Sequence, residues 1–524
     1  MNPAELQILG SRLASIADEM GAVLRRAAFS SNIKERADCS AALFTPRGEL
    51  LAQAEHIPVH LGSMPASVAA AIATGWRADV MLNDPFAGGT HLNDLTMVAP
   101  VVVDGALVGW VANRAHHADV GGTAPGSMPP DALTVDEEGL RLPPTPVHDE
   151  SLALVVNASR TPDERRGDLD AQRGANRLGV QRFGELVRGL PSIDALAEIL
   201  DHGERRMRAA VRDFPDGTFR AVDVLDSAGP RPEQQTPTRV VVEVRIEGEE
   251  ITFDFTGTDA QRPGNMNAVE AVTVSAVAFA IRAVSDPTLP ANGGTMRPVR
   301  VVAPAGTVVA AVPPVAVGAG NVEVSQRVAD VCLAALARAR PDAVGAASQG
   351  TMNNVLLGGE GSPSDRRAWV HYETVGGGQG GRPWADGMSG VHTAMTNTLD
   401  TPVEALERAL PLRVRHYGLR RGSGGDGMHL GGDGIWRELE ALAPTEVSLV
   451  TERRVSAPCG LAGGAPGAVG ENWLLPGGDE SRARRLPDKC TVHLAPGDVL
   501  RVLTPGGGGW GPPPPRAPSR PPSA

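Results

Sequence analysis

Asn83–Asp94 reads NDPFAGGTHLND, and Leu95–Asp119 continues it as LTMVAPVVVDGALVGWVANRAHHAD. Met97–Val103 and Ala106–Asn113 are rich in Val, Leu and Ala and are joined by Asp104-Gly105. That dipeptide is a strong hairpin signal, because a two-residue turn of this type needs positive φ at both positions. The turn predicts a register in which Val103 faces Ala106. Extended backwards, Asp94 faces Ala115 and His91 falls near Ala118. Facing residues lie roughly 5 Å apart. The segment holding His91 and Asp94 is therefore expected beside the segment holding His116 and His117. His91 and Asp94 have opposite strand parity, so both can point inward only if the stretch is a loop or bulge.

Working outward, Leu6, Leu9, Leu13, Ile16, Met20, Val23 and Leu24 recur at helical spacing and predict an amphipathic helix over 3–28. Ala41–Leu51 reads as a hairpin turning at Pro46-Arg47-Gly48. The stretch Leu142–Val156 is Pro-rich and reads as irregular, and Arg160–Phe214 as a helix pair broken near Gly189-Leu190-Pro191. Val240–Glu247 and Ile251–Phe255 predict a hairpin; Met266–Val284 and Val324–Arg338 predict helices; Arg437–Leu442 and Val447–Glu452 predict strands. The fold class expected is mixed α+β with antiparallel hairpins. The expected organisation is one unit over 1–510, with subdomains near 1–150, 151–345 and 346–510, and a disordered Pro-rich tail over 511–524.

The chain has 524 residues, 42% hydrophobic and 21% charged, with a formal net charge of -12. That balance is globular. Without a clustered cationic surface, a nucleic-acid partner is not expected. Lys34 and Lys489 are the only lysines and neither follows a glycine, which excludes a Gly-Lys-Ser/Thr phosphate loop. The four cysteines, Cys39, Cys332, Cys459 and Cys490, form no CxxC pair. The N-terminal residues show no signal-peptide pattern, and Val272–Val284 is too short to span a bilayer, so a cytoplasmic protein is expected.

His91-x-x-Asp94, His116-His117 and Asp38 offer imidazoles and carboxylates, the donors a divalent ion such as Zn, Fe or Mn takes. Asp119 either orients a ligand histidine or caps a turn. His56 and His60 are four apart, but Pro58 between them argues against a helix and against a paired-ligand reading. The runs GGGQGG (Gly376–Gly381) and RGSGGDG (Arg421–Gly427) read as tight turns in preference to anion sites. No GxSxG elbow is present, and Cys39 has no nameable catalytic partner.

Several strings together carry a resemblance. They are SNIKERADCS (Ser31–Ser40), AEHIPVHLGSM (Ala54–Met64), NDPFAGGTHLND, RAHHADVGGTAPGSMPP (Arg114–Pro130), DFTGTDAQRPGN (Asp254–Asn265), GAGNVEVSQR (Gly318–Arg327), the stretch Tyr372–Glu407 and the glycine run Gly506–Gly509. In order and over nearly the whole chain, they resemble the B-type subunit of hydantoinases and 5-oxoprolinases, with acetone and acetophenone carboxylase subunits as relatives. The resemblance implies an A-type partner with an actin-like ATPase fold that uses ATP to phosphorylate a small cyclic amide, in a hetero-oligomer. It implies that the B-type chain holds a divalent metal for water attack and ring opening. It carries metal ligation onto Asp38, His91, Asp94 and one of His116 and His117, with His116 favoured; in the water attack this implies, Asp38 or Asp119 is the expected proton acceptor. Asn93 and Phe86 depart from the usual residues beside these positions. A ketone carboxylase subunit and a non-catalytic scaffold are the alternatives.

Overall fold

The computed structural model describes residues 1–54, 57–360 and 367–514. Helix α1 (Pro3–Ala27) starts in a capping box. The Asn2 side chain accepts from Glu5 N at 2.9 Å, and the Glu5 carboxylate accepts from Asn2 N at 2.8 Å. Pro3 opens the helix where a missing N–H costs nothing. Helices α2 (Pro162–Arg188) and α3 (Ala195–Arg212) follow as the predicted pair. The Pro-rich segment is not irregular throughout: Asp149–Ala158 is a helix, capped by His148, whose Nδ1 accepts from Ser151 N.

The chain's first sheet has six antiparallel strands in the order β2-β1-β5-β4-β3-β6. They are β1 (Cys39–Phe44), β2 (Leu50–Gln53), β3 (Val80–Leu82), β4 (Asp94–Val103), β5 (Ala106–His116) and β6 (Thr145–Pro146). One face packs on α1 and α2: Leu9, Leu13 and Met20 meet Val101, Val111, Phe183 and Leu186. The other face packs on helix Met64–Ala73 through Val68, Val98, Trp110 and Ala112. With both faces covered, the strands read as near-continuous apolar runs, which is why no alternation marks them in the sequence.

Three further sheets follow. A four-stranded sheet contains Gly217–Leu225, Thr238–Glu247, Glu250–Asp254 and Val299–Val302, the last pair parallel. A second contains Asn354–Glu360, Ala368–Thr374, Thr445–Val450 and Lys489–Leu494. A five-stranded sheet contains Leu412–Arg420, Gly434–Ala441, Glu471–Leu475, Arg484–Leu486 and Val499–Leu503. Helices α4 (Glu270–Ala283) and α5 (Ser325–Ala339) pack together in the largest hydrophobic cluster, and Gly320–Val324 forms a π-helical turn ahead of α5.

Of the two glycine runs expected to turn, Arg421–Gly427 opens in a tight turn, Ser423 N donating to Arg420 O with Gly422 at φ +78, but Gly376–Gly381 does not. Residues 505–510 form an extended thread surrounded by other extended threads. Gly506 N donates to Ala468 O, Gly507 N to Gly432 O, Gly508 N to Ala347 O and Gly509 N to Ala465 O. A Cβ placed on Gly506, Gly507, Gly508 or Gly509 would lie 1.9–2.2 Å from the carbonyl oxygens of Ser423, Gln379, Cys459 and Asp426 in turn. Gly506 and Gly509 thus face the same neighbouring thread, the three-residue period of a polyproline-II-like chain. Only hydrogen fits at these contacts.

Among the described residues no helix is long and apolar enough to cross a membrane. Residues 515–524, most of the expected tail, lie outside the described residues.

Candidate metal centre

Three neighbouring strands, β1, β5 and β4, end at one edge of the first sheet. Asp38 immediately precedes β1, His116 closes β5 and Asp94 opens β4. The hairpin register differs from the expected one. Val103 faces Ala106 and Val102 faces Leu107, but Val101 faces Gly109, so Val108 is an extra, bulged residue. Every pair beyond it shifts by one, and Asp94 faces His116, not Ala115. Across the other ladder Cys39 faces Ala115, and His116 N donates to Asp38 O at 3.0 Å.

His91 sits in the loop before β4, as the parity argument requires. Asp84 Oδ1 caps a short turn by accepting from Phe86 N, and Gly88 then takes φ +99. A Cβ on Gly89 would lie 2.5 Å from Asn83 O. Two amides fix this loop: Asn83 Nδ2 donates to Leu92 O and Leu140 O, and Asn93 Nδ2 to His117 O and Gly126 O. Asp94 N donates to His91 O, closing the turn that brings the two side chains to one side.

His91, Asp94 and His116 each offer a ligand atom, all within 4.8 Å of one another, and all three are buried. His91 Nδ1 and His116 Nδ1 lie 3.3 Å and 3.4 Å from the Asp94 oxygens. His91 Nδ1, Asp94 Oδ1 and His116 Nε2 have no hydrogen-bond partner although buried. Two imidazoles and a carboxylate are an ordinary donor set for Zn, Mn or Fe, so the residues fit a divalent ion. Burial alone would raise the Asp94 pKa, but His91, His60 and His116 around it hold the carboxylate well below its usual range. Burial lowers the His116 pKa against the pull of Asp94 and Asp38, which keeps the ring in the neutral form a metal needs.

The structure does not bring all the expected residues into this group. The Asp38 carboxylate lies outside the three-residue group but lines the same cavity of about 20 Å³, together with His60, Asp94 and His116. His117, next along the chain from His116, turns the other way, its Nε2 2.9 Å from Gln172 Oε1. Asp119 sits apart in the following loop. Its carboxylate accepts from Gly121 N, Gly126 N, Arg160 N and Arg160 Nη1, which makes it a loop clamp with no open face towards the cluster.

Sequence reasoning passed over other neighbours. His60 Nε2 is 3.3 Å from Asp94 Oδ2, and its Nδ1 is 2.8 Å from Ser40 Oγ. Pro58 does not break an element here; it opens the turn Pro58–His60 that carries the ring. His56 lies outside the described residues. Asn321, on the π-helical turn, donates to Asp94 Oδ2 at 3.3 Å. The Tyr372 ring stacks on His116 at 4.6 Å, and Arg36 lies over the Tyr372 ring at 4.9 Å while donating to Tyr372 O and Thr374 Oγ1. The lysine-flanked KERAD string thus contributes through Arg36 as well as Asp38.

A family model described as Hydantoinase B/oxoprolinase matches residues 2–513. The chain is 39% identical to 5-oxoprolinase 1 of Arabidopsis thaliana over 97% of its own length, but spans only 42% of that protein. It is 31% identical to the putative B subunit of the D-/L-hydantoinase of Pseudomonas sp. strain NS671, over 99% of this chain and 92% of that one. Among solved structures, the ATP-dependent caprolactamase from Pseudomonas jessenii superposes with a TM-score of 0.89 at 26% identity, over 98% of this chain and 91% of that one.

Proposed function

The chain belongs to the hydantoinase B/oxoprolinase family, and from that premise we propose that it is the metal-holding half of an ATP-dependent hydrolase of cyclic amides. What supports this reading is the convergence of His91, Asp94 and His116, buried and with donor atoms left unpartnered, at one sheet edge. The 5-oxoprolinase relative is more than twice as long as the matched region. In this reading the remaining function, ATP-driven phosphorylation of the amide oxygen, belongs to a separate A-type subunit, and the two chains form a hetero-oligomer.

Amide hydrolysis is slow because the carbonyl is weakly electrophilic and the nitrogen leaves poorly; phosphorylation of the oxygen addresses the first problem. When bound, a divalent ion would supply Lewis acidity and a water activated near neutral pH, its pKa brought from ~15.7 towards ~7. His91, Asp94 and His116 are the residues that would hold it. Asp94 stays anionic because three histidines surround it, and Thr90 Oγ1 and Asn321 Nδ2 fix its carboxylate by donating to Oδ2. His60, anchored on Ser40, steadies the same oxygen. Asp38, the carboxylate other than Asp94 that lines the cavity at the cluster, is assigned the proton acceptor. Asp119 is assigned no chemical step.

The test is elemental analysis joined to activity. Wild type incubated with Zn, Mn or Fe is expected to hold about one ion per chain. Asp94→Asn is expected to lose it together with ATP-dependent ring opening in the complex reconstituted with the A-type partner. His117→Ala is expected to keep the ion, and Asp38→Asn to keep it while losing turnover. A folded wild type that takes up no ion sinks the assignment.

A further inference from the structure

The cavity at the cluster is too small for a ring. At about 20 Å³ it accommodates an ion or a water, whereas a cleft of about 430 Å³ lies immediately beside it. Thr396 lines both, and the Ile57-Pro58 segment separates them, Ile57 facing the small cavity and Pro58 the large one. Phe279, Leu333 and Ala337 make an apolar wall of the cleft.

Its polar lining is unusual in what it leaves unpaired. His392 Nδ1, Thr393 Oγ1 and Arg382 Nε are buried without a hydrogen-bond partner, and all three residues line the cleft. Buried polar atoms ordinarily find partners, and three unpaired ones belong to residues of this one lining. The charges are asymmetric as well. Asp330, the acid of the lining, is neutralised by Arg327 at 3.3 Å and Arg453 at 2.8 Å. Arg382 has no carboxylate within ion-pair distance among the described residues; Nη2 donates only to the carbonyl of Asp386. The cleft therefore presents one uncompensated guanidinium.

We propose that this cleft holds the substrate ring beside the metal centre, with its carbons against Phe279, Leu333 and Ala337, and that it selects cyclic amides bearing a carboxylate, which Arg382 receives. The selection rests on the cyclic-amide reading above, but the binding surface is separate from the metal ligands, so the two fail separately. Charge-assisted bonds to a carboxylate are worth about tenfold or more in affinity.

Cys459 supplies the readout, because it lines the cleft and is exposed while Cys39, Cys332 and Cys490 are buried. Iodoacetamide alkylation of Cys459, followed by mass spectrometry, is measured with 5-oxoproline and with 2-pyrrolidinone, the same ring without its carboxylate. 5-Oxoproline is expected to slow alkylation at a concentration about tenfold lower than 2-pyrrolidinone does, and Arg382→Met to abolish that difference. Arg382→Lys, which keeps the charge, is expected to restore part of it. Calorimetric titration of the same two rings is expected to give the same ranking. Asp94→Asn is expected to lose the ion and leave protection unchanged, so a wild type that shows protection but takes up no ion would sink the metal assignment and leave the cleft standing. Equal protection by the two rings, a preference that survives Arg382→Met, or no protection in the chain alone and in the reconstituted complex overturns the proposal.

Discussion

Asp94 touches three imidazoles and two neutral donors, while His392, on the far side of Thr396, has almost none: its Nε2 lies 3.4 Å from Thr398 Oγ1 and its Nδ1 is unpaired. Burial, reinforced by the Arg36 charge, pushes the His392 pKa down from 6.5 to about 3. The sign of the consequence follows from proton counting. Below pH 6.5 the unfolded chain takes up a proton at this ring that the folded chain refuses, so the stabilisation present above pH 6.5 is lost as pH falls towards about 3. The slope is at most about 1.4 kcal/mol per pH unit. Urea unfolding of wild type and His392→Gln at pH 7 and pH 5 is expected to show a smaller loss in the variant, by about 1–2 kcal/mol. Equal losses would show that the ring is protonated in the folded state. Single residues were partly legible in the sequence. His91, Asp94 and His116 stand in short, chemically distinctive strings. His60 was weighed and set aside, because a proline two residues before it reads as a helix breaker unless the short turn it starts is already known.

At the scale of elements, α1, the α2–α3 pair and the β4–β5 hairpin were legible from period, punctuation and turn chemistry. The bulge at Val108 was not. Nothing in VVVDGALVGW marks which residue will go unpaired, and the shift is set by packing: a Cβ on Gly109 would lie 2.5 Å from both Phe44 O and the Phe183 ring. Tertiary contact, not strand propensity, chooses the register that puts His116 opposite Asp94. The π-helical turn was hidden for a related reason, since Gly318-Ala319-Gly320 reads as loop. A Cβ on Gly320 would lie 1.9 Å from Asn267 O, so that glycine serves a close backbone approach and not a chain break. The loop before β4 depends on the same kind of contact. Gly89→Ala would drive a methyl into Asn83 O and Asp84 O. It is expected to cost about 1–3 kcal/mol and to lower metal occupancy by displacing His91 and Asp94. Unchanged thermal unfolding and full occupancy would show that the loop can yield without moving them.

Across the whole molecule, a buried ion network joins parts far apart in the chain. Arg327 on α5 pairs with Asp223, Asp330 and Glu452, Arg453 with Asp223 and Asp330, and Lys489 with Glu452 and Asp488. Lys489, one of only two lysines, opens a late strand and is fully buried. Removing one partner leaves its acids uncompensated in the interior, so Lys489→Met is expected to destabilise by about 3–5 kcal/mol. Combining it with Glu452→Gln is expected to recover part of that loss in denaturant titration. If the single variant unfolds like wild type, the network is not a source of cohesion. None of this was legible in the sequence, where charges 230 residues apart, such as Asp223 and Arg453, carry no mark of their pairing. The bundle of glycine threads also bears on synthesis. Its central thread, 505–510, comes last in chain order, after the threads near 346–349, 376–381, 423–432 and 457–468 have left the ribosome. Those earlier threads, poor in side chains and with backbone partners still to be made, must wait for it. Assembly of this region therefore waits on 505–510, and until that thread is made the earlier ones lack the backbone partners it supplies.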